Sequence, residues 1–256
     1  MSPDSVATAR RAITLLDLTE LGDHASEDDV RTLCGKAVGP HGNSAAVCVW
    51  PQHVALAVEL LWGTNVRVAT VVNFPSGDEP VAEVVAETEQ ALADGADEID
   101  LVLPYRAFLA GDTDAAAEMV DAVRVVVPAD SHRLKVILET GELVDPVAVH
   151  GAAVLAVEHG ADFIKTSTGK TPQSATLEAT AVMLAVIQGA GRTVGLKPSG
   201  GIRTLEDATH YLTQADDLLG ADWATPATFR FGASGLLTAL IAAVEGDAGV
   251  TSTEAY

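Results

Sequence analysis

The stretch Asp162–Lys170, with the sequence DFIKTSTGK, combines a predicted buried strand with a lysine at its end and a polar turn after it. Phe163 and Ile164 form a short apolar run of the kind found in buried parallel strands, and Lys165 follows where that strand should end. A charged lysine is costly to bury, so a lysine at this position is expected to be either paired or neutral. Because a neutral lysine is a nucleophile, we interpret Lys165 as an amine that attacks a carbonyl group and forms a Schiff base.

Seven further runs of the same kind occur along the chain, and each is followed by a longer helical pattern. The eight predicted strands are Ile13–Thr19, Ala45–Trp50, Val66–Phe74, Glu98–Leu103, Leu134–Thr140, Asp162–Ser167, Thr193–Ser199 and Thr228–Ser234. Eight βα units without a second zone of composition predict a closed parallel (β/α)8 TIM barrel, in one domain that spans residues 1–256. Residues 1–12 are expected to be peripheral, and residues 248–256 are expected to form a flexible tail.

The composition excludes several classes of partner. The 256 residues carry a net charge of -21, which argues against binding to nucleic acid or to an anionic membrane. No secretory signal and no apolar run of membrane-spanning length is evident, so we expect a cytoplasmic protein. The two cysteines and seven histidines do not have metal-ligand spacing, which disfavours a metal-dependent mechanism.

Polar residues collect where the predicted strands end, which is the face of a barrel that carries chemistry. These residues are Asp17, Cys48, Asn73, Asp100, Thr140, Lys165, Lys197 and the Phe231-Gly232 turn. The chain has only five lysines, and three of them (Lys165, Lys170 and Lys197) lie on or just after strands six and seven. A general surface charge does not explain that placement in a chain so acidic, so a specific site is favoured.

Lys165 and Lys197 lie on sequential strands, which are neighbours in a barrel. At roughly 6–7 Å, two such charges repel by about 2–3 kcal/mol at an effective dielectric near 20, which is about two pKa units. Together with desolvation, this repulsion leaves one amine neutral. The spacing alone leaves open which of the two loses its proton. The alternative is a pair of structural lysines that form salt bridges with Asp17 and Asp100.

Glycine-rich turns predict a phosphate site beside these lysines. Gly200 and Gly201 follow strand seven, and the segment Gly232–Gly235, which includes Ser234, follows strand eight. Glycines let the backbone approach a ligand, and the helix that begins near Ser234 presents free N–H groups. Thr168, Gly169 and Lys170 complete the predicted site from strand six, with Lys170 as its cation.

Three motifs in order, EIDLVLPYRAF, FIKTSTGK and GLKPSGGIRT, closely resemble those of the deoxyribose-phosphate aldolase family of class I (Schiff-base) aldolases. The resemblance runs from about Leu15 to Ser234. It implies reversible cleavage of 2-deoxy-D-ribose 5-phosphate to acetaldehyde and D-glyceraldehyde 3-phosphate, in deoxyribonucleoside catabolism, without a metal or organic cofactor. Matched residue by residue, it makes Lys165 the Schiff-base former, Lys197 its charged neighbour, and Asp100 the proton donor and acceptor.

The resemblance also assigns the remaining site residues. Asp17 and Thr19 are expected to bind substrate, with Asp17 holding either Lys197 or a substrate hydroxyl. Cys48, within the GNxAAxC stretch Gly42–Cys48, is expected to line the pocket rather than to attack. Members of the family often carry a second serine where Gly235 stands, so phosphate affinity is expected to be weaker here. The C-terminal Tyr256 is a candidate for assisting proton transfer.

Several alternatives stay open at this point. Asp100 could merely neutralise Lys197, Asp17 and Cys48 could be structural, and the polar tail could leave Tyr256 outside the site. The chain could be another Schiff-base aldolase acting on a different phosphorylated sugar, or a catalytically silent barrel that binds phosphosugars and regulates a partner. We expect a homo-oligomer, with a dimer as the favoured form.

Overall fold

The computed structural model describes residues 3–246, in which strands and helices alternate. The strands are β1 Leu16–Glu20, β2 Ala46–Val49, β3 Arg67–Val72, β4 Glu98–Val102, β5 Arg133–Ile137, β6 Phe163–Lys165, β7 Gly195–Lys197 and β8 Phe231–Ala233. The helices are α1 Pro3–Thr14, α2 Glu27–Ala37, α3 Val54–Leu61, α4 Val81–Ala93, α5 Tyr105–Leu109, α6 Thr113–Val126, α7 Thr140–Leu143, α8 Pro146–Glu158, α9 Leu177–Gly189, α10 Leu205–Leu219 and α11 Leu236–Glu245. A short 3₁₀ helix, Pro51–His53, precedes α3.

The sequence sets the helix starts through side-chain caps. In α2 the Ser26 hydroxyl accepts a hydrogen bond from the Asp29 backbone N–H, and the Asp29 carboxylate accepts one from the Ser26 backbone N–H. Thr204 and Asp207 form the same reciprocal pair at the start of α10. Such caps satisfy backbone donors that the first helical turn leaves free, so they fix where each helix begins.

All strand pairs are parallel, and the sheet follows the order β7-β6-β5-β4-β3-β2-β1-β8. Isolated bridges join Leu196 to Phe229 and Ser199 to Gly232, and these bridges bring β7 back to β8. The result is a nearly closed barrel of eight strands with helices between them. The predicted (β/α)8 fold is therefore confirmed, and each observed strand lies within or beside the run that predicted it.

The hydrophobic core lies between the sheet and the surrounding helices. Ile99 and Leu101 of β4 are fully buried in this layer together with Val120 and Val123 of α6. Because side chains alternate along a strand, the residues between them, including Asp100, face the barrel interior instead. The outer layer stabilises the fold, and the interior is left for polar side chains.

The structure differs from the sequence-based expectation at the N-terminal segment. Residues 3–14 form helix α1, in which Ala9 and Ala12 are fully buried, and α1 packs against α11. Arg11 also pairs with Asp216 of α10 at 2.6 Å. The segment thus contributes to the helical layer. The short helices α5 and α7 were not expected either, because runs of four or five residues give no periodic signal.

None of the helices within residues 3–246 is long and apolar enough to cross a membrane.

Candidate active site

The barrel interior holds a group of charged side chains, which we call the interior ionic cluster. Its members are Asp17, Glu98, Asp100, Lys135, Lys165, Lys197 and Arg230. Each member comes from a strand or from the residue directly before one, at alternate positions that point inward. All seven are buried. Because buried charges must be paired, this cluster determines which of its groups can ionise.

Lys165 ends β6, and its side chain lies inside the barrel with only 1% of its surface exposed. Its Nζ atom donates a hydrogen bond to Asp100 Oδ2 at 2.9 Å. The strand register pairs Lys165 with Lys197 of β7. The amine therefore sits in a dry environment beside a carboxylate and next to a second lysine.

Lys197 has two carboxylate neighbours. Its Nζ lies 2.5 Å from Asp17 Oδ2 and 2.8 Å from Asp100 Oδ2. Lys165 and Lys197 therefore donate to the same oxygen of Asp100, and their nitrogens cannot be further apart than the sum of those two contacts. The two amines face each other, as the neighbouring strands predict.

Lys135 on β5 joins this arrangement, although the sequence analysis did not select it. Its Nζ lies 2.6 Å from Asp100 Oδ1, 2.7 Å from Glu98 Oε2 and 3.6 Å from Asp17 Oδ2. Arg230 closes the network by pairing with Asp17 Oδ1 at 2.5 Å and with Glu98 Oε1 at 2.8 Å. Asp100 thus accepts hydrogen bonds from three lysines. Lys135 and Arg230 also pair with the carboxylates of Asp17 and Glu98.

The number of charges in the interior ionic cluster favours a neutral Lys165. Three carboxylates oppose three cations when Lys135, Lys197 and Arg230 are charged, so a fourth cation would be unbalanced. Burial lowers the pKa of Lys165, the Asp100 carboxylate opposes that shift, and the Lys197 ammonium lowers the pKa further. For Lys135, burial acts in the same direction, but Asp100 and Glu98 outweigh it and raise its pKa. The environment therefore distinguishes Lys165 from Lys135.

The carboxylates of the cluster are ionised. Burial alone would raise the pKa of Asp100, but Lys135, Lys165 and Lys197 hold it well below its usual range. In the same way Lys197 and Arg230 outweigh burial and lower the pKa of Asp17. An ionised Asp100 next to a neutral amine can accept a proton from it or from a group bound to it.

An apolar wall faces the charged residues across the barrel. It consists of Leu21, Cys48, Ala69 and Val71, which come from β2, β3 and the end of β1. Burial raises the pKa of the Cys48 thiol, so the thiol stays protonated and behaves as a small apolar group. This geometry is consistent with Cys48 lining the pocket.

The glycine turns after β6, β7 and β8 enclose a cavity of about 310 Å³ at the carboxyl ends of the strands. Its lining includes Gly169, Gly200, Gly201, Gly232, Ser234 and Gly235, all selected from the sequence, together with Thr171, Ser174 and Arg203. Gly200 has φ 79°, and a Cβ atom there would lie 2.6 Å from Ser174 Oγ. The close approach and the positive φ both require glycine, so the backbone stays accessible to a ligand.

Lys170 lies beside the glycine turns and is paired with another side chain. Its Nζ donates to Asp23 Oδ1 at 2.7 Å, and the Asp23 side chain is 80% exposed. This hydrogen bond lowers the pKa of Asp23. The cation predicted for the phosphate site is therefore present near the cavity and held by a solvent-facing carboxylate.

Thr168 and Thr19 make contacts that the sequence analysis did not anticipate. The Thr168 hydroxyl and backbone N–H both donate to the buried carboxylate of Glu139, which adopts a left-handed backbone conformation at φ 56°. The Thr19 hydroxyl donates to the Asp17 backbone carbonyl at 2.9 Å, and Thr19 borders a separate cavity with Leu18 and Lys36. Both threonines thus form contacts within the protein, and their binding of substrate stays a prediction.

Tyr256, the candidate for assisting proton transfer, lies outside the described residues.

Alternation along the strands could have identified the members that sequence reasoning missed. Glu98 lies two residues before Asp100, and Lys135 pairs with Asp100 in the register of β4 and β5. Side chains two apart on a strand share a face, so Glu98 had to point into the barrel with Asp100. Arg230 lies two residues before Gly232 in the predicted strand Thr228–Ser234, so alternation places it on the same face as that glycine. Glu139 follows β5 in the structure, and its left-handed backbone departs from strand alternation.

Comparisons with known proteins relate this chain to a group of aldolases. A model of the DeoC/LacD family of aldolases matches residues 11–240. The deoxyribose-phosphate aldolase of Agrobacterium fabrum (strain C58) is 51% identical over 250 residues, which cover 97% of this chain and 96% of the relative. A solved structure assigned as a deoxyribose-phosphate aldolase from Toxoplasma gondii ME49 is 28% identical with a TM-score of 0.87, covering 96% of this chain and 99% of that one. A similarly assigned structure from Coccidioides immitis is 32% identical with a TM-score of 0.80, covering 91% and 85%.

Proposed function

The chain belongs to the DeoC/LacD aldolase family, and on that basis we propose that it reversibly cleaves 2-deoxy-D-ribose 5-phosphate into acetaldehyde and D-glyceraldehyde 3-phosphate. The observation that carries the proposal is a buried amine, Lys165, whose pKa is lowered and which contacts an ionised Asp100. A buried and neutral amine is what imine formation with an aldehyde requires.

In the proposed cycle Lys165 Nζ attacks the aldehyde carbon of the open-chain sugar. The resulting carbinolamine loses water, with its protons handled by Asp100, and forms a protonated imine. Loss of the C3 hydroxyl proton then breaks the C2–C3 bond, and the imine accepts the electron pair to give an enamine. D-glyceraldehyde 3-phosphate leaves, the enamine is protonated at C2, and water releases acetaldehyde and the free amine.

The cluster geometry supports the proton steps. Asp100 Oδ2 accepts hydrogen bonds from both Lys165 and Lys197. It is therefore close enough to take a proton from the nitrogen of Lys165. Lys197 supplies a nearby ammonium that favours ionised intermediates and disfavours protonation of Lys165. The apolar wall formed by Leu21, Cys48, Ala69 and Val71 suits the two-carbon enamine, which carries no hydroxyl group.

The phosphate group is proposed to bind in the cavity formed by the glycine turns. Gly201 and the start of α11 at Gly235 offer backbone N–H groups there, whereas the Gly200 N–H donates to the Gly232 carbonyl. Lys170 directly follows Gly169, which lines the cavity, so the Lys170 side chain can leave Asp23 and turn toward a bound phosphate. Lys165 and Lys197 end their strands on the side of the barrel where this cavity opens, which matches a substrate with an aldehyde at one end and a phosphate at the other.

Reductive trapping tests the covalent step. Sodium borohydride added together with 2-deoxy-D-ribose 5-phosphate is expected to inactivate the protein and add the mass of the reduced adduct to the peptide that contains Lys165. The Lys165→Arg variant keeps a cation but cannot form the imine, so it is expected to gain no adduct. Turnover with Lys165 unmodified after borohydride treatment would refute the proposal.

The substrate is tested separately from the chemistry. Cleavage rates on 2-deoxy-D-ribose 5-phosphate are compared with those on ketose phosphates and on unphosphorylated 2-deoxy-D-ribose. We expect the first to be preferred over both. Faster cleavage of a ketose phosphate would keep the Schiff-base mechanism but replace the proposed substrate.

A further inference from the structure

A second cavity opens at the opposite end of the barrel, where the strands begin, and we call this opening the amino-terminal mouth. Its volume is about 480 Å³. Its lining includes the first residues of β3, β4, β5 and β6, which are Arg67, Glu98, Arg133 and Phe163. The proposed chemistry lies at the carboxyl ends of the strands, so it does not account for this cavity.

The lining of the amino-terminal mouth mixes apolar and polar groups, and its charged side chains carry an excess of positive charge. Arg67, Arg133 and Arg230 contribute three guanidinium groups, against the two carboxylates of Asp97 and Glu98. This excess stands out in a chain with 36 acidic and 15 basic residues. An anion is therefore the ligand that the local charge favours.

Arg133 is the cation available to such a ligand. Arg67 pairs with Asp97 at 2.8 Å, and Arg230 pairs with Asp17 and Glu98. Arg133 donates only to the backbone carbonyls of Ala129 and His132, and within residues 3–246 no carboxylate pairs with it. A guanidinium without a carboxylate partner is well suited to bind a phosphate through its planar donors.

A buried hydroxyl group in the same lining also lacks a partner. Ser44 borders the cavity and is 2% exposed, and its Oγ atom has no hydrogen-bond partner among the described residues. A buried polar atom left unpaired costs about 1–3 kcal/mol, so a ligand that bonds to it would recover that energy. Nearby, the Asn43 amide donates to the Asn65 carbonyl oxygen at 2.7 Å, which leaves the carbonyl oxygen of Asn43 and the amide hydrogens of Asn65 for a ligand.

From these observations we propose that the amino-terminal mouth binds a small hydroxylated organic phosphate. Its phosphate contacts Arg133 and Arg67, and its hydroxyl groups contact Ser44 and the two asparagines. The volume falls in the range of about 300–1,000 Å³ that small-molecule sites occupy. Arg230 lies in this lining and also contacts Asp17, so the ligand would sit directly beneath the interior ionic cluster.

Amide NMR can locate binding, because the two ends of the barrel carry different residues. The uniformly ¹⁵N-labelled full chain is titrated with glycerol 3-phosphate, and in parallel with glycerol and with inorganic phosphate. We expect glycerol 3-phosphate to shift the amide signals of residues 43–45, 65–67 and 131–133. Inorganic phosphate is expected to shift them with lower affinity, and glycerol is expected to leave them unchanged. The readout does not depend on the proposed activity.

Variants connect the binding to named side chains. Arg133→Ala is expected to weaken glycerol 3-phosphate binding at least about tenfold, since one charge-assisted hydrogen bond is lost. Ser44→Ala is expected to weaken glycerol 3-phosphate more than inorganic phosphate. Arg31→Ala, which removes an exposed guanidinium from α2, serves as the matched control and should bind like the wild type.

Three results would overturn the proposal. The first is the absence of shifts at residues 43–45, 65–67 and 131–133. The second is shifts confined to the glycine turns after β7 and β8, which would mean that phosphate binds only at the catalytic end. The third is an Arg133→Ala variant with wild-type affinity and a wild-type circular dichroism spectrum.

Discussion

At Lys165 a single carboxylate contacts the amine, whereas Lys197 has two such neighbours and Lys135 has three. That difference shifts the pKa values of Lys165 and Lys135 in opposite directions within one barrel. Each added carboxylate favours the charged form, and burial favours the neutral form. We therefore expect the sharing of the carboxylates to decide which lysine is the nucleophile, and spacing along the chain does not reveal that sharing.

Replacing Lys197 should make Lys165 harder to deprotonate. In Lys197→Leu the repelling ammonium is lost, and Asp17 and Asp100 are free to stabilise a charged Lys165. Catalysis needs the neutral amine, so activity falls as the pH drops through the pKa of Lys165. We expect the acidic limb of the kcat/KM profile to move to higher pH by about 1–2 units.

The control for that experiment keeps the charge. Lys197→Arg retains a cation beside Lys165, so its acidic limb should stay closer to that of the wild type. If the acidic limb of the kcat/KM profile does not move in Lys197→Leu, then Lys197 does not set the pKa of Lys165.

Releasing Lys170 from its partner should strengthen phosphate binding. In Asp23→Asn the lysine loses a solvent-exposed ion pair that otherwise competes with a bound phosphate for its ammonium group. We expect KM for 2-deoxy-D-ribose 5-phosphate to fall by up to about fivefold, with kcat unchanged. Unphosphorylated 2-deoxy-D-ribose is the control substrate, because its KM should not respond. A KM that rises for both substrates would contradict a role of Lys170 in phosphate binding.

At the scale of the strands and helices, β8 places a glycine in close contact with Ser199 and Lys197. A Cβ atom on Gly232 would lie 2.2 Å from Ser199 Oγ and 3.2 Å from the Cε atom of Lys197. The strand therefore allows Lys197 to lie across it toward Asp17. Any larger residue at this position would displace the Lys197 side chain or the turn after β7.

The Gly232→Ala variant should lose activity while remaining folded. Because displacement of a catalytic group by about 1 Å can cost about 100-fold, we expect kcat/KM to fall roughly 10- to 100-fold. Gly35→Ala provides the matched control, since Gly35 lies in α2 with no atom within 4 Å of the added Cβ. That variant should keep full activity and gain about 0.5–1 kcal/mol in its free energy of unfolding. Equal activity of the two variants would contradict the close packing around Lys197.

The repeating elements were predictable because their signals are local. Caps such as Ser26 and Thr204, and apolar runs such as the one before Lys165, appear in a few consecutive residues. The ion pairs between Arg230 and Asp17 or Glu98 join distant parts of the chain, and nothing local indicates them. Helix α1 was missed for a related reason, since its stability depends on packing against α11. Sequence reasoning thus predicted the barrel and the burial of Lys165 beside Lys197, but not the network of ion pairs around them.

For the molecule as a whole, the interior ionic cluster replaces part of an apolar core and makes stability dependent on pH. The pKa values of Asp17, Glu98 and Asp100 are all lowered in the folded protein. Carboxyl groups of this kind stabilise the fold above their unfolded pKa, and this stabilisation is lost as the pH falls toward the folded value. The free energy of unfolding should therefore decrease below about pH 4, where unfolded carboxyl groups begin to bind protons.

Urea unfolding at pH 7, 4 and 3 measures this dependence. The Glu98→Gln variant removes one of the three carboxylates of the interior ionic cluster, so its stability should fall less steeply between pH 4 and pH 3 than that of the wild type. Equal slopes for the two proteins would show that Glu98 is not ionised in the fold.

Removing a cation from the cluster should be much more costly than removing one from the surface. Arg230→Met leaves Glu98 and Asp17 with one fewer partner in a buried setting, and we expect a loss of about 3–5 kcal/mol in the free energy of unfolding. Arg67→Met breaks an exposed pair with Asp97 and should cost less than about 1 kcal/mol. Urea unfolding at pH 7 compares the two variants, and similar losses would contradict the burial argument.

The sharing of Asp100 by three lysines also limits how this chemistry can be transplanted. A lysine grafted alone into another scaffold would arrive without the counterions that keep its neighbours charged and itself uncharged. The side chains of the interior ionic cluster would have to be transferred together and in matching strand register. Each buried charge is stable only when its ion-pair partners are also present.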